Sequence, residues 1–255
     1  MLLALDMGNT NITIGVFEGE RLLLESRLAT DYTKMEDQYA IELLDILRLY
    51  HVDAAQIDGA IISSVVPPLD RIMRHAVKKV TGQTPLMVGP GVKTGLNIRI
   101  DNPAQLGSDL LVGAIAAIAQ YGAPCIIWDL GTATTLSVVD ESGAFRGGAI
   151  MAGVATSFES LTNRTSLLPR IRLEAPPHAI GTNSNDSMQA GAVYGSAAMI
   201  DGMCDRVLAE LGCDSAPIVA TGGLSHEIIP HCRHTIIYDD KLLLEGLRLI
   251  YNKNR

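Results

Sequence analysis

Two short stretches of the sequence combine an acid, a glycine and small polar side chains. They are residues 6–11 (DMGNTN) and residues 129–135 (DLGTATT). A glycine in such a turn lets the backbone approach an anion closely, and neighbouring amides and hydroxyls can donate hydrogen bonds to phosphate. Both stretches therefore predict nucleotide-phosphate binding, through Asp6, Gly8, Asn9, Thr10 and Asn11 in the first and Gly131, Thr132, Thr134 and Thr135 in the second.

The acids in these stretches imply a cation. A carboxylate beside phosphate repels it unless a cation lies between them, and Mg²⁺ favours one or two carboxylates together with water and phosphate oxygens. Asp6 is accordingly a candidate Mg²⁺ ligand. For a single copy, an Asx turn in an ordinary hairpin is an equal alternative. Two copies at equivalent positions of a duplicated unit would face each other across a cleft, which favours phosphate clamping.

Two further segments carry candidate site residues. Asp109 follows Gly107 and Ser108 at the start of a predicted helix. Its carboxylate either complements the helix dipole or acts as a base that takes a hydroxyl proton, and spacing does not choose between these readings. Residues 220–224 (ATGGL) follow a short predicted strand. They form either a plain turn or a bare backbone surface for adenine or ribose, contributed by Thr221, Gly222 and Gly223.

The elements that position these residues repeat along the chain. Each copy has an apolar strand ending in Asp-x-Gly, a second β-rich run, an acidic and glycine-containing turn, and a third strand, which indicates a duplicated βββ unit. The predicted second and third strands are residues 12–17, 22–27, 135–139 and 145–150, and later strands fit residues 60–64 and 218–221. Helical spacing predicts helices at residues 36–50, 105–121, 188–211 and 241–252. We divide the chain into an N-terminal lobe, residues 1–117, and a C-terminal lobe, residues 118–255.

Composition narrows the class of protein. The chain has 255 residues, of which 47% are hydrophobic and 4% aromatic, so its core must be built from Leu, Ile, Val and Ala. The formal charge of −8 argues against a nucleic-acid partner, which usually requires a basic surface. The sequence lacks a signal-peptide pattern and an apolar run of about 20 residues, which predicts no membrane association. Four cysteines without a C-x-x-C pair fit a cytoplasmic protein with reduced thiols.

Taken in order, the motifs resemble those of the type III pantothenate kinase family. They are DxGNT from Asp6, SSVVP at residues 63–67, GxD at residues 107–109, DxGTATT from Asp129, the glycine pair at residues 147–148 and TGG at residues 221–223. The resemblance extends to Gly246 and Leu247, near the end of the chain. It implies a two-lobed α/β fold of the duplicated actin-like ATPase type, shared with sugar kinases and related to ribonuclease H, around a nucleotide cleft.

The resemblance also implies an activity and roles for residues. We expect ATP-dependent phosphorylation of pantothenate to 4′-phosphopantothenate, the first step of coenzyme A biosynthesis, by a homodimer that requires Mg²⁺ and a monovalent cation, K⁺ or NH₄⁺. Asp109 matches the catalytic base, and Asp129 matches a position associated with the monovalent cation. Ser184 matches a threonine that contacts pantothenate, and Gly107, Ser108 and Asp109 complete the predicted acceptor site.

Three positions depart from the family pattern. Leu110 replaces an arginine that helps to bind pantothenate, Ile100 replaces a common tyrosine, and Ala152 replaces a proline. The nucleotide half of the site is therefore intact by pattern, whereas the acceptor half is altered. Two alternatives follow: a related kinase for another small hydroxy acid, and a non-catalytic regulator, because some relatives were described as accessory transcription factors. The acidic charge and the presence of Asp6, Asp109 and Asp129 count against the regulator.

Overall fold

The fold alternates strands and helices throughout, and the computed structural model describes residues 1–255. The strands are β1 (Leu2–Met7), β2 (Asn11–Glu18), β3 (Arg21–Ala29), β4 (Gly59–Ser64), β5 (Leu86–Met87), β6 (Asn97–Ile98), β7 (Cys125–Leu130), β8 (Ala133–Val139), β9 (Ala144–Ala152), β10 (Ile218–Thr221) and β11 (Ile237–Tyr238). The helices are α1 (Glu36–Leu49), α2 (Pro67–Thr81), α3 (Ser108–Tyr121), α4 (Val154–Arg164), α5 (Ser184–Leu211), α6 (Ser225–Ile228) and α7 (Leu242–Asn254).

The chain forms two compact units. The first comprises Met1–Gly95, Asn102–Ala116 and Leu242–Arg255, and the second comprises Leu96–Asp101 and Ala117–Lys241. The crossing between Ala116 and Ala117 lies next to the predicted boundary. Two segments depart from a single division at residue 117, namely 96–101, which includes β6, and the C-terminal helix α7.

Packing explains why α7 belongs to the first unit. Its apolar face is buried, with Leu242, Leu247 and Ile250 all inaccessible to solvent, and it packs on β1, β2 and β4. Glycines in those strands make room for it. A Cβ at Gly15 would lie 2.8 Å from a methyl group of Leu244. Burying an apolar helix face on a sheet is favourable because it removes hydrocarbon from water.

The sheet of the first unit has the strand order β3-β2-β1-β4-β5. β1 and β2 pair antiparallel, whereas β1 and β4 pair parallel, with Asp6 opposite Ser63 in the register. One core cluster contains the apolar side chains of this sheet, of α1 and of α2, including Leu5, Tyr39 and Met73.

The sheet of the second unit has the order β11-β10-β7-β8-β9-β6. Apart from the edge strand β6, it repeats the first sheet: an antiparallel β7-β8-β9 meander whose first strand also pairs in parallel with β10. β1 and β7 have equal length and the same order of buried and partly buried positions, with Asp6 and Asp129 both fifth in their strands. The two meanders also share a register irregularity, at Val16/Phe17 and at Val138/Val139. The predicted duplication is therefore present.

A second core cluster contains apolar side chains of this sheet and of α5, including Trp128 and Ile200, which are fully buried. None of the helices combines the length and apolar character that crossing a bilayer would require.

Candidate active site

The first phosphate-binding candidate is the turn between β1 and β2. The Gly8 amide donates a hydrogen bond to the Asn11 carbonyl at 2.9 Å, and a Cβ at Gly8 would lie 3.1 Å from that oxygen. Asn9, Thr10 and Asn11 are exposed, and Asp6 is partly buried in the strand before them. The turn is therefore closed by its own backbone and presents polar groups to solvent, as phosphate binding requires.

Thr30, one residue beyond β3, holds this turn from both sides. Its hydroxyl donates to the Gly8 carbonyl at 2.7 Å, and its amide donates to the Thr10 carbonyl at 2.9 Å. The adjacent Asp31 amide donates to the buried Tyr39 hydroxyl, which fixes the chain after Thr30. Sequence reasoning missed Thr30, because it lies 22 residues from Gly8 and only the β2–β3 pairing brings the two together.

The second candidate is the turn between β7 and β8. The Gly131 amide donates to the Ala133 carbonyl at 3.1 Å, and the Thr132 carbonyl accepts from the Gly153 amide at 3.1 Å. The Thr156 hydroxyl donates to the same carbonyl at 2.9 Å. A Cβ at Gly153 would lie 2.2 Å from the Thr132 oxygen, so this close approach requires glycine at position 153. The turn is thus supported from the start of α4, which the sequence did not predict.

The side chain of Thr134, one of the predicted phosphate contacts, is buried. Its side chain is 1% exposed, and its buried hydroxyl oxygen has no hydrogen-bond partner. Side chains alternate along a strand, so Thr134 shares the core-facing side of β8 with Leu136, whereas Thr135 lies on the opposite side. The Thr134 hydroxyl is therefore buried in this structure, and phosphate binding by Thr134 stays a prediction.

The TGG segment meets the second turn within the same unit. Gly222 has a φ of +96°, and a Cβ there would lie 2.6 Å from the Leu130 amide nitrogen and 2.7 Å from an Asp129 carboxylate oxygen. Both the conformation and the contact require glycine. Thr221 is 4% exposed as a whole residue, so it offers a ligand little surface. The structure thus places two of the predicted nucleotide motifs side by side, at the ends of the paired strands β7 and β10.

Asp109 lies in the first turn of α3 and is partly buried. Its Oδ1 accepts a hydrogen bond from the Leu110 backbone amide at 2.8 Å, and no side chain hydrogen bonds to the carboxylate. Burial raises the pKa of the Asp109 carboxyl above its ordinary value, because desolvation outweighs the two backbone amides that lower it. A raised pKa makes the carboxylate a stronger proton acceptor.

Ser108, a predicted acceptor-site residue, makes its side-chain hydrogen bonds within the protein. Its hydroxyl donates to the Ser64 carbonyl at 2.9 Å and accepts from the Ser64 amide at 3.1 Å and the Ser63 hydroxyl at 3.0 Å. A hydroxyl offers one proton and two lone pairs, so these three contacts use its full capacity. The Ser108 hydroxyl therefore bonds to β4 and has no donor or acceptor capacity left for a substrate.

Ser184 is the first residue of α5 and is exposed. It lines a cavity of about 780 Å³ between α4 and α5, whose walls are mostly small and apolar and include no basic side chain. Leu110, at the start of α3, offers no charge either. The structure gives no carboxylate-binding cation at these two predicted acceptor positions.

This architecture defines the class of protein. A duplicated βββ unit, with an acid near the end of the first strand of each copy and a parallel strand beside it, is the actin-like ATPase fold of sugar kinases. A solved protein from Sinorhizobium meliloti assigned as a 2-dehydro-3-deoxygalactonokinase superposes with a TM-score of 0.62 at 14% identity, covering 99% of this chain and 96% of that one. A Campylobacter jejuni protein assigned to the Baf family of transcriptional activators gives 0.65 at 18% identity, covering 99% and 98%. These similarities confirm the predicted fold class.

Sequence comparison gives the family. The model of the type III pantothenate kinase family matches residues 2–206. A type III pantothenate kinase from an Exiguobacterium species is 42% identical over 255 residues, which is the whole of both chains. The chain belongs to the type III pantothenate kinase family.

Proposed function

We propose that this protein transfers the γ-phosphoryl group of ATP to the primary hydroxyl of pantothenate, giving 4′-phosphopantothenate and ADP in the first step of coenzyme A biosynthesis. The observation that carries the proposal is the 42% identity to a type III pantothenate kinase over the full length of both chains. The two exposed phosphate turns and the partly buried Asp109 supply the groups that such a reaction needs.

Asp109 acts as the base in this mechanism. The acceptor hydroxyl gives its proton to the Asp109 carboxylate while its oxygen forms a bond to the γ-phosphorus, and the bond from that phosphorus to the ADP oxygen breaks. Phosphoryl transfer depends mainly on positioning and on neutralising charge, so the protein must hold the acceptor oxygen in line with the leaving group. The raised pKa of Asp109 suits it to receive the proton at this step.

Two cations complete the proposed site. Asp6 would hold Mg²⁺ and Asp129 the monovalent cation, K⁺ or NH₄⁺, each carboxylate lying beside a turn of exposed phosphate donors. The chain has no group of three or more His, Cys, Asp or Glu arranged to hold a metal ion. Mg²⁺ in proteins commonly binds through one or two carboxylates together with water and phosphate oxygens. When bound, the cations neutralise phosphate charge. The protein groups that orient the phosphates are the amides and hydroxyls of the two turns.

A homodimer is part of the proposal. Leu167 and Ile180, close in sequence to the cavity that Ser184 lines, are 91% and 84% exposed, and Leu161 in its wall is also exposed. Exposed apolar side chains that form one patch mark interaction sites, and in the proposed homodimer a second copy of the chain covers these three. The same contact could bring a basic residue, Arg164 or Arg170, to the carboxylate of pantothenate, for which Leu110 offers no charge.

A related kinase for another small hydroxy acid is the second candidate. The observation that favours it is the absence of a cation at Leu110 and around Ser184. An arginine grips a carboxylate through two parallel charge-assisted bonds, which leucine cannot replace.

The test is a substrate panel. Purified protein is incubated with ATP, Mg²⁺ and K⁺ and with pantothenate, glycerate, mevalonate or pantoate, and phosphorylated products are measured by mass spectrometry. We expect 4′-phosphopantothenate to form fastest. The assignment fails if pantothenate is not phosphorylated while another hydroxy acid is turned over readily, and a protein that phosphorylates none of them is not the proposed kinase.

A further inference from the structure

The SSVVP motif at residues 63–67 has no role in the mechanism so far, yet its first two serines make specific contacts. Ser63 is fully buried at the end of β4, and its hydroxyl donates to the Ser108 hydroxyl at 3.0 Å. Ser64 adds two more bonds to the same oxygen, through its amide and its carbonyl. Three hydrogen bonds thus join the end of β4 to the residue directly before Asp109.

These contacts are not a helix cap. In a cap, the side chain at the start of a helix accepts a hydrogen bond from an amide of its own first turn. Here the Leu110 amide donates to Asp109, and the Leu111 amide donates to the Gly107 carbonyl at 3.1 Å. The Ser108 hydroxyl serves neither and points to β4 instead. Its bonds therefore fix the position of α3 relative to the sheet.

The end of β4 also pairs with the end of β1, the strand that leads into the first phosphate turn. Ser63 lies opposite Asp6 in the parallel register of β1 and β4, and the Val65 amide donates to the Met7 carbonyl at 3.0 Å. Ser64 is held in turn, because its hydroxyl donates to Asp70 in the first turn of α2. The end of β4 is therefore fixed on both sides.

We infer that the serine cluster of Ser63, Ser64 and Ser108 positions Asp109 relative to Asp6 and the first phosphate turn. The inference rests on the proposed function, in which Asp109 takes the acceptor proton. Ser108 is then a positioning residue and not a ligand of pantothenate. Proton transfer requires hydrogen-bond reach, and a misplacement of about 1 Å can cost about a hundredfold in rate. The Ser108 hydroxyl, saturated by three bonds to one strand, holds that position more precisely than a single loop contact would.

A double-mutant cycle in the full-length protein tests the inference. Ser108→Ala removes all three bonds, and we expect it to lower kcat by about tenfold or more while the KM for pantothenate changes less than about twofold. Ser63→Ala removes one of these bonds and leaves the sequence next to Asp109 unchanged. It should lower kcat by a smaller factor. Because both substitutions act on one contact, the double variant should be less impaired than the product of the two single effects predicts.

A direct substrate contact would give a different pattern. If Ser108 bound pantothenate, Ser108→Ala would raise KM at unchanged kcat, and Ser63→Ala would leave both constants near wild type. Either result overturns the inference. Thr81→Val is the matched control, since Thr81 is a buried hydroxyl in α2 that bonds only to nearby backbone groups. It should lower the melting temperature and leave kcat unchanged.

Asp109→Asn, measured in the same assays, distinguishes a failure of the positioning inference from a failure of the proposed role of Asp109. If Asp109→Asn keeps wild-type turnover, the proposed role of Asp109 fails. If Asp109→Asn abolishes turnover while Ser108→Ala keeps wild-type kcat and KM, only the positioning inference fails.

Discussion

Gly107→Ala should keep or raise the melting temperature and strongly lower kcat. Gly107 lies two residues before Asp109, and a Cβ at this position would lie 2.4 Å from the Asp109 Oδ1. Its φ is not among the positive values found at other glycines, so alanine is compatible with the backbone. The carboxylate of Asp109 would have to move, because 2.4 Å is too short for a non-bonded contact. No other group lies that close to the new methyl, so the carboxylate alone must shift.

The geometry sets the size of the effect. Ordinary van der Waals contact begins at 3.4 Å, so Oδ1 must retreat by about 1 Å from its 2.4 Å position. A displacement of about 1 Å in a catalytic group can cost about a hundredfold in rate. Replacing glycine by alanine where the backbone allows it stabilises the fold by about 0.4–1 kcal/mol, through the entropy of the unfolded chain. The variant should therefore melt no lower than wild type while kcat falls by about two orders of magnitude.

The assay combines steady-state kinetics, ATP binding by calorimetry and thermal unfolding. Gly202→Ala in α5 is the matched control, because a Cβ there would meet nothing within 4 Å. It should be stabilised to a similar degree and keep full activity. A Gly107→Ala enzyme with kcat within about threefold of wild type would refute the reasoning, since the orientation of Asp109 would then not matter for the rate.

Three further predictions follow from the site and its surroundings. Leu110→Arg should lower the KM for pantothenate by about tenfold or more if no other group binds the carboxylate of pantothenate. If a cation already binds it, KM should stay unchanged or rise. The rate measured against pantothenate concentration for wild type and variant decides between these outcomes. Activity should require K⁺ or NH₄⁺, because the Asp129 carboxylate next to phosphate needs a counter-charge, and equal rates in K⁺ and in tetramethylammonium would contradict that role. Asp140→Asn should lower the melting temperature at pH 7. The hydrogen bond from Ser142, foremost, and those from Ala144 and Arg146 lower the pKa of Asp140 to about 2, so its carboxylate contributes stability above pH 4 and loses it as the pH falls towards 2. The difference in melting temperature between wild type and variant should shrink over that interval, and a constant difference would refute the assignment.

Local sequence patterns predicted the duplicated meanders well. Alternating apolar residues, acidic turns and glycines are short-range signals, and strand β10 has the predicted bounds, Ile218–Thr221. Helix α3 begins at Ser108 and not at residue 105, because Pro103–Gln105 forms a separate 3₁₀ turn capped by Asn102. Helix α2 was not predicted as an element, although prolines at its start suit a first helical turn.

The features that the sequence did not predict depend on contacts between residues far apart in the chain. Strands β6 and β11 are two residues long and depend on pairing with β9 and β10. The placement of α7 in the first unit depends on packing that its own amphipathic pattern does not specify. Among the site residues, the sequence pattern predicted two polar turns as phosphate-binding sites, and the structure shows Asn9, Thr10, Asn11 and Thr132 of these turns exposed, while their phosphate contacts stay a prediction. The pattern could not show that the Thr134 hydroxyl is buried or that the Ser108 hydroxyl bonds to β4, since both depend on which element covers that side of the strand or helix.

The most direct test of the account is the turnover of Asp109→Asn with pantothenate and ATP, compared with Asp45→Asn. Asp45 is an exposed acid on α1, so its substitution controls for the change in charge. Formation of 4′-phosphopantothenate is followed by mass spectrometry, and ATP binding by calorimetry. The account predicts that wild type and Asp45→Asn form product at similar rates, while Asp109→Asn binds ATP with similar affinity and turns over at least about a hundredfold more slowly. Near-normal turnover by Asp109→Asn would contradict it.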